Sequence, residues 1–161
     1  MKGKLKYINL NWHTDDWDTK LLNSSDKTKF DIIVTNPPYI PSNEIKFLET
    51  EVREYDPILA LDGGNDGLDA YRSIIPKLKN LLKPDGKIFV EIGKGQKNLV
   101  SKIGGIIPKS KLLDLTYDFA ALTDSCITSP NLPVICILPF PGIFTVSIFK
   151  ISPPISVHAK P

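Results

Sequence analysis

Six residues, Phe30-Asp31-Ile32-Ile33-Val34-Thr35, run almost continuously apolar into Asn36-Pro37-Pro38, and this junction constrains the fold more than any other part of the chain. A short apolar run bounded by such punctuation predicts a strand buried on both faces, as in a parallel sheet. The prolines end it, because neither has a backbone N–H for the ladder and each holds the preceding residue extended. Leu68, Tyr71, Ile75, Leu78 and Leu82 then recur at spacings of three and four, predicting a helix from about Gly67 to Leu82 that Pro76 should kink. Lys83-Pro84-Asp85-Gly86 predicts a turn, and Lys87 to Gly93 (KIFVEIG) a second buried strand. Strand, helix and strand in that order require a right-handed crossover, so the fold class is α/β. Leu5 to Leu10 is a weaker strand candidate, followed by an acidic loop carrying Trp12, His13, Asp15, Asp16, Trp17 and Asp18.

A chain of 161 residues suits one domain, and 42% hydrophobic with 24% charged residues is ordinary for a soluble globular protein. The net charge of +2 is too small to argue for a nucleic-acid field or a polybasic membrane patch. Cys126 and Cys136 have neither metal-ligand spacing nor a disulfide framework, and the amino terminus lacks the apolar run of a signal peptide, which favours a cytoplasmic location. Residue usage changes near position 100. Of 38 charged residues only Lys102, Lys109, Lys111, Asp114, Asp118, Asp124, Lys150 and Lys160 follow it, whereas eight of the 14 prolines do. Residues 1–100 and 101–161 therefore read as two kinds of sequence, the second a Pro-rich apolar tail. Within it the uncharged stretch 132–149 has three readings. It approaches the length of a membrane-spanning helix, but Pro133, Pro139, Pro141 and Gly142 interrupt it. A buried pair of strands is the second reading, and out-of-frame translation, which would explain the abrupt change, is the third and the one favoured.

In open α/β sheets ligands bind beyond the carboxyl ends of the strands, which puts Asn36 at the active crevice. An amide or aromatic amino nitrogen is a poor nucleophile because its lone pair is delocalised, so a site that uses one needs acceptors for both N–H bonds. The Asn36 side-chain oxygen and the Pro37 carbonyl could accept them, and Tyr39 could stack on the planar group. The competing reading is a plain loop, since Asn and Pro both punctuate turns. A strand that delivers the tetrapeptide to the crevice favours the functional one.

Beyond Asn36-Pro37-Pro38-Tyr39, four segments, Phe30 to Pro41 (FDIIVTNPPYIP), Glu51 to Leu61 (EVREYDPILAL), Asp66 to Tyr71 (DGLDAY) and Leu81 to Gly93 (LLKPDGKIFVEIG), stand in an order and spacing that resembles the HemK-type family of peptide chain release factor glutamine N5-methyltransferases. Asp16-Trp17 resembles that family's Asp-Trp pair, and the resemblance covers about residues 5 to 100. It implies a partial doubly wound, Rossmann-like methyltransferase sheet, with residues 1–100 forming the carboxyl-terminal part of the catalytic domain. It also implies S-adenosyl-L-methionine as cofactor and the Gly-Gly-Gln loop of a release factor as partner. Asn36, Pro37, Pro38 and Tyr39 would hold the glutamine, with Asn36, Pro37 and Tyr39 as the catalytic set, and Trp17 and Asn36 would touch the cofactor. A lone Trp is as readily a core residue.

The family's amino-terminal strands, with a Gly-rich loop after the first and an acidic residue after the second, have no counterpart here, nor does its helical docking domain. A sheet without those strands should leave apolar edges bare between the first strand and Phe30–Thr35 and fold poorly alone. Asp62-Gly63-Gly64-Asn65-Asp66-Gly67 could pass for a cofactor loop, as in permuted DNA amino-methyltransferases, but lacks their Phe-x-Gly-x-Gly pattern and reads better as a turn. Glu91 reads as a strand-end carboxylate, His13 with Asp15 and Asp16 as a solvated loop rather than a metal site, and Gly93-Lys94-Gly95 as too short to bind phosphate. The alternatives to a glutamine methyltransferase are an adenine N6 or other amino-nitrogen methyltransferase of DNA or RNA, and a remnant without catalysis.

Overall fold

The computed structural model describes residues 6–106, 112–114, 132–140 and 143–151. In chain order the elements are β1 (Lys6–Leu10), α1 (Trp17–Ser24), β2 (Phe30–Thr35), α2 (Thr50–Tyr55), α3 (Ile58–Leu61), α4 (Asp69–Leu81), β3 (Leu82–Val90), α5 (Lys97–Ile103), β4 (Leu112–Asp114), β5 (Leu132–Phe140) and β6 (Ile143–Ile151), with 3-10 turns at Ile45–Phe47 and Gly104–Ile106. The strands form one mixed sheet in the order β1-β6-β5-β2-β3-β4. β2 lies parallel to both β3 and β5, and β3 parallel to β4. β6 runs antiparallel to β5 and to β1.

β2 spans the six residues whose apolar run predicted it, and four of them are buried, as a strand with a neighbour on each side requires. The α4 face is built from Ala70, Tyr71, Ile74, Ile75, Leu78 and Leu81, all buried, with Leu68 buried at the N-cap. Pro76 sits inside this helix, which continues to Leu81. Leu82, expected on the helix, begins β3 instead. Its backbone is extended and it pairs with Phe30.

The expected Lys83–Gly86 turn is absorbed into β3. The partner of Phe30 is Leu82 but that of Ile32 is Lys87, so residues 83–86 bulge from the ladder while β2 advances by two. Lys83 Nζ lies 2.8 Å from the Asp31 carboxylate, and a Cβ at Gly86 would stand 3.0 Å from the Asp31 carbonyl oxygen, so the bulge is folded tightly against β2. Phe30 and Ile33 join one core cluster with α1, α4, α5, Ile88 and Val90 despite their odd spacing, because the irregularity between Phe30 and Ile32 shifts the pleat.

Two further expectations are corrected. The stretch read as an acidic loop turns into α1 at Trp17, and its polar groups are fastened to α4. Ser73 Oγ donates to the Trp12 carbonyl at 2.6 Å, Lys77 Nζ to the Asp15 carbonyl at 2.6 Å, and Asn80 Nδ2 to the Asp18 carboxylate at 2.9 Å. The interval between β1 and β2, expected to leave strand edges bare, is filled by β5 and β6: Ile32 to Thr35 pair with Val134 to Ile137, and Lys6 to Leu10 pair with Ile148 to Phe144. Both edges of β2 carry unpaired N–H and C=O groups until a strand covers them, and β5 does so on one side. Pro133 and Pro139 each stand one residue from an end of β5, where a missing N–H disturbs the ladder least. No helix among the described residues is long and apolar enough to cross a membrane.

Candidate substrate-amide site

Asn36 is the first residue beyond β2, delivered by a strand buried to its last residue, Thr35. Its side chain is half-buried and makes no hydrogen bond to any described residue, so its amide oxygen and nitrogen both remain available. Pro37 and Pro38 are buried and carry the chain away without a helix, and Tyr39 is half-buried.

The other end of the tetrapeptide is clamped by the end of β3 and the turn into α5. Glu91 N–H donates to the Thr35 carbonyl at 2.9 Å, prolonging the β2–β3 ladder by one residue. Tyr39 Oη donates to Glu91 Oε1 at 3.3 Å, Gln96 Nε2 donates to the Tyr39 carbonyl at 2.9 Å, and a Cβ at Gly93 would stand 2.9 Å from Tyr39 Cδ2. Gln96 Nε2 also reaches the Gly67 carbonyl at 3.4 Å, while Gln96 Oε1, Thr35 Oγ1 and Trp17 Nε1 are buried and have no hydrogen-bond partner among the described residues. Tyr71, fully buried on α4, donates its hydroxyl to the Glu91 carbonyl at 2.9 Å and so holds the strand end that holds Tyr39. Tyr71→Phe is expected to cost about 1 kcal/mol, read as a lower urea midpoint at unchanged denaturant slope.

Burial pushes the Tyr39 phenol above the ordinary tyrosine range, and the adjacent Glu91 carboxylate raises it further by charge and by hydrogen bond. The unfolded chain then loses this proton first, near pH ~10, while the folded chain keeps it, so stability falls as pH rises through that value. Tyr39→Phe should flatten the fall, which urea midpoints measured from about pH 8 to 11.5 would register; parallel curves for parent and variant would refute the coupling.

The Gly-rich segment is a turn with most of its donors committed. Gly63 N–H donates to the Ile40 carbonyl at 2.8 Å, Gly64 N–H to Asp62 Oδ1 at 2.9 Å, Gly67 N–H to the Gly64 carbonyl at 3.2 Å, and Asp69 N–H to the Gly63 carbonyl at 2.9 Å. Arg72 pairs with Asp66 and Asp69 and ties the turn to α4. Only the Asn65 and Asp66 N–H groups take no hydrogen bond among the described residues, and the Asp62, Asp66 and Asp69 carboxylates in the same stretch disfavour a phosphate or carboxylate there. Trp17, expected at the cofactor, opens α1 inside the core at 2% exposure, away from solvent.

The structure thus gathers Asn36, Pro37, Pro38 and Tyr39 in one loop and adds Glu91 and Gln96, which sequence reading did not assign to it. Glu91 carried a signal, a carboxylate closing a buried strand; Gln96 carried none. His13 stacks on Trp12 with ring centroids 3.7 Å apart, and no group of three or more His, Cys, Asp or Glu side chains among the described residues is placed to hold a metal ion.

The family model described as Eco57I restriction-modification methylase matches residues 4–113. Curated relatives named release factor glutamine methyltransferase align in Bradyrhizobium diazoefficiens (64% identity over 67 residues, 42% of this chain and 23% of the relative), Geobacter sulfurreducens (54% over 72 residues, 45% and 25%) and Caulobacter vibrioides (50% over 88 residues, 55% and 29%). The chain spans about a quarter of the length of the relatives it matches. No solved structure matches.

Proposed function

We propose, proceeding from the fact that this chain belongs to the family described as Eco57I restriction-modification methylase, that it carries the acceptor-holding part of an S-adenosylmethionine-dependent methyltransferase acting on a glutamine side-chain amide. The observation that supports this reading is the Asn36 side chain at the end of β2, without a hydrogen-bond partner among the described residues and followed by a Pro-Pro loop whose carbonyls no described helix uses. Asn36 Oδ1 and the Pro37 carbonyl accept the two amide N–H bonds, which orients the nitrogen and draws electron density onto it. Pro38 stiffens the loop, and Tyr39 lies along the planar group. Glu91 and Gln96 act through Tyr39 as positioning residues. Holding both N–H groups removes the need for a base strong enough to deprotonate an amide beforehand.

Family membership implies S-adenosylmethionine chemistry in general, yet the described residues fit the acceptor better than the donor. The Asp62–Gly67 turn has most of its amides engaged and carries carboxylates beside the rest, and Trp17 is enclosed by the core, so only Asn36 is assigned to the donor's edge and no step is assigned to a donor cradle. The family description and the relatives' names point to different acceptors. Identity of 50–64% over 67–88 residues is the more specific guide, because a loop that holds a planar NH2 group serves adenine and glutamine alike. A release-factor Gly-Gly-Gln loop in the cytoplasm is therefore the proposed acceptor, and adenine N6 of DNA or RNA is the second reading, kept because the matched family is described as a restriction-modification methylase.

Calorimetric titration of the folded chain with S-adenosylmethionine, followed by tritiated-methyl transfer to a Gly-Gly-Gln peptide and to an adenine oligonucleotide, tests the proposal. Saturable binding and transfer to the peptide are expected, with the transfer slowed by about 100-fold or more in Asn36→Ala. Peptide binding without S-adenosylmethionine binding would restrict the chain to acceptor holding. Transfer to the oligonucleotide would establish the second reading, and a folded chain that binds nothing would be a remnant.

A further inference from the structure

Between the tetrapeptide and the Gly-rich turn the chain makes an excursion whose two ends are pinned together beside Tyr39. Ile40 N–H donates to the Leu61 carbonyl at 3.0 Å, Gly63 N–H donates to the Ile40 carbonyl at 2.8 Å, and Ile40 and Asp62 form a parallel bridge. The enclosed residues 41–61 hold the 3-10 turn, α2 and α3, none of which contains a buried residue. Phe47 is 77% exposed, Tyr55 82%, Ile58 61% and Leu59 59%, making four of the five large apolar side chains that stand out on the described surface. Aromatic and aliphatic groups held in water at this density mark an interaction surface.

The charge of the lobe specifies the partner. It carries Glu44, Glu49, Glu51, Glu54 and Asp56 against Lys46 and Arg53, a net of −3 within a chain of net +2. None of the five carboxylates takes an ion pair or a side-chain hydrogen bond among the described residues. Both bases are engaged within the lobe: Lys46 Nζ lies 4.9 Å over the Phe47 ring, and Arg53 donates to the Lys46 carbonyl at 3.3 Å. A phosphate backbone would meet uncompensated like charge here, whereas a cationic polypeptide would meet complementary charge around apolar anchors. We propose that residues 41–61 form a docking lobe for a basic, partly apolar protein segment adjoining the acceptor glutamine; this inference rests on the glutamine-amide reading above and deepens it from an amide to a cationic protein.

Fluorescence anisotropy of the 161-residue chain against three labelled probes tests it: a Gly-Gly-Gln peptide flanked by Lys, Arg and Leu, the same peptide flanked by Glu, and an adenine-containing single-stranded oligonucleotide. The basic peptide should bind at least roughly tenfold tighter than the acidic one, with the preference shrinking as salt rises. Phe47→Ser with Tyr55→Ser, and separately Glu51→Lys with Glu54→Lys, should each weaken it about 5- to 30-fold. Their urea midpoints should match the parent, since the replaced side chains support no core. Equal affinity for the two peptides, or lobe variants that bind like the parent while Asn36→Ala still weakens binding, would overturn the lobe and leave the glutamine reading standing. No peptide binding up to about 1 mM would overturn the lobe as a docking surface, and tight binding of the oligonucleotide alone would overturn both proposals.

Discussion

Asn36→Ala is expected to slow methyl transfer to a glutamine amide by about 100- to 1,000-fold, the usual loss when one preorganised polar partner of a reacting group is removed. Ground-state peptide binding should fall by only roughly tenfold or less, because a neutral hydrogen bond contributes about 0.5–1.5 kcal/mol net. The difference between the two losses separates transition-state positioning from simple binding. Stability should stay within about 0.5 kcal/mol of the parent, since the side chain is half-buried and has no hydrogen-bond partner among the described residues. Single-turnover transfer, peptide anisotropy and urea unfolding on one preparation provide all three readings. A variant that loses affinity and rate by the same factor would reduce Asn36 to a binding residue, and one that unfolds would make it a structural residue.

Gly67→Ala is expected to destabilise the chain by about 2–5 kcal/mol, combining left-handed backbone strain with overpacking. Gly67 sits at φ +74°, and a Cβ there would fall on the Tyr39 carbonyl oxygen and 2.6 Å from Gln96 Nε2. The first obstacle is backbone, so relief requires moving the tetrapeptide loop itself. Gly64→Ala provides the contrast: its φ is +88°, but its obstacle is the Asp69 carboxylate, a side chain that can rotate away. Thermal and urea unfolding should therefore rank Gly67→Ala well below Gly64→Ala, and peptide binding should be lost in the first beyond what stability explains. Equal unfolding midpoints for the two variants would show that the loop accommodates the added methyl.

Local pattern made much of this domain readable. The Phe30–Thr35 run and the three-and-four spacing of Tyr71, Ile75 and Leu78 each report a preference that acts within a few residues, and the structure keeps both. The Asn-Pro-Pro-Tyr loop was legible for the same reason, since proline stiffness and strand-end position are properties of adjacent residues. The Leu82 boundary and the Lys83–Gly86 bulge were not, because both depend on how far β3 slides along β2. Trp17 illustrates the limit from another side. A lone Trp beside an Asp reads equally as core or as cofactor wall, and its burial follows from the packing of α1 on β1 and α4.

What the sequence by itself determined is the α/β crossover, the strand that delivers Asn36, and the stiff Pro-Pro loop that follows it, all encoded in residues close together along the chain. Only the tertiary structure decided the rest. Glu91 and Gln96 reach Tyr39 across 52 and 57 positions, β5 covers an edge of β2 from about a hundred residues away, and the ends of the 41–61 lobe close on each other beside the site. Such contacts are selected by the shared burial and hydrogen-bond satisfaction of the whole sheet, which no short window of residues contains.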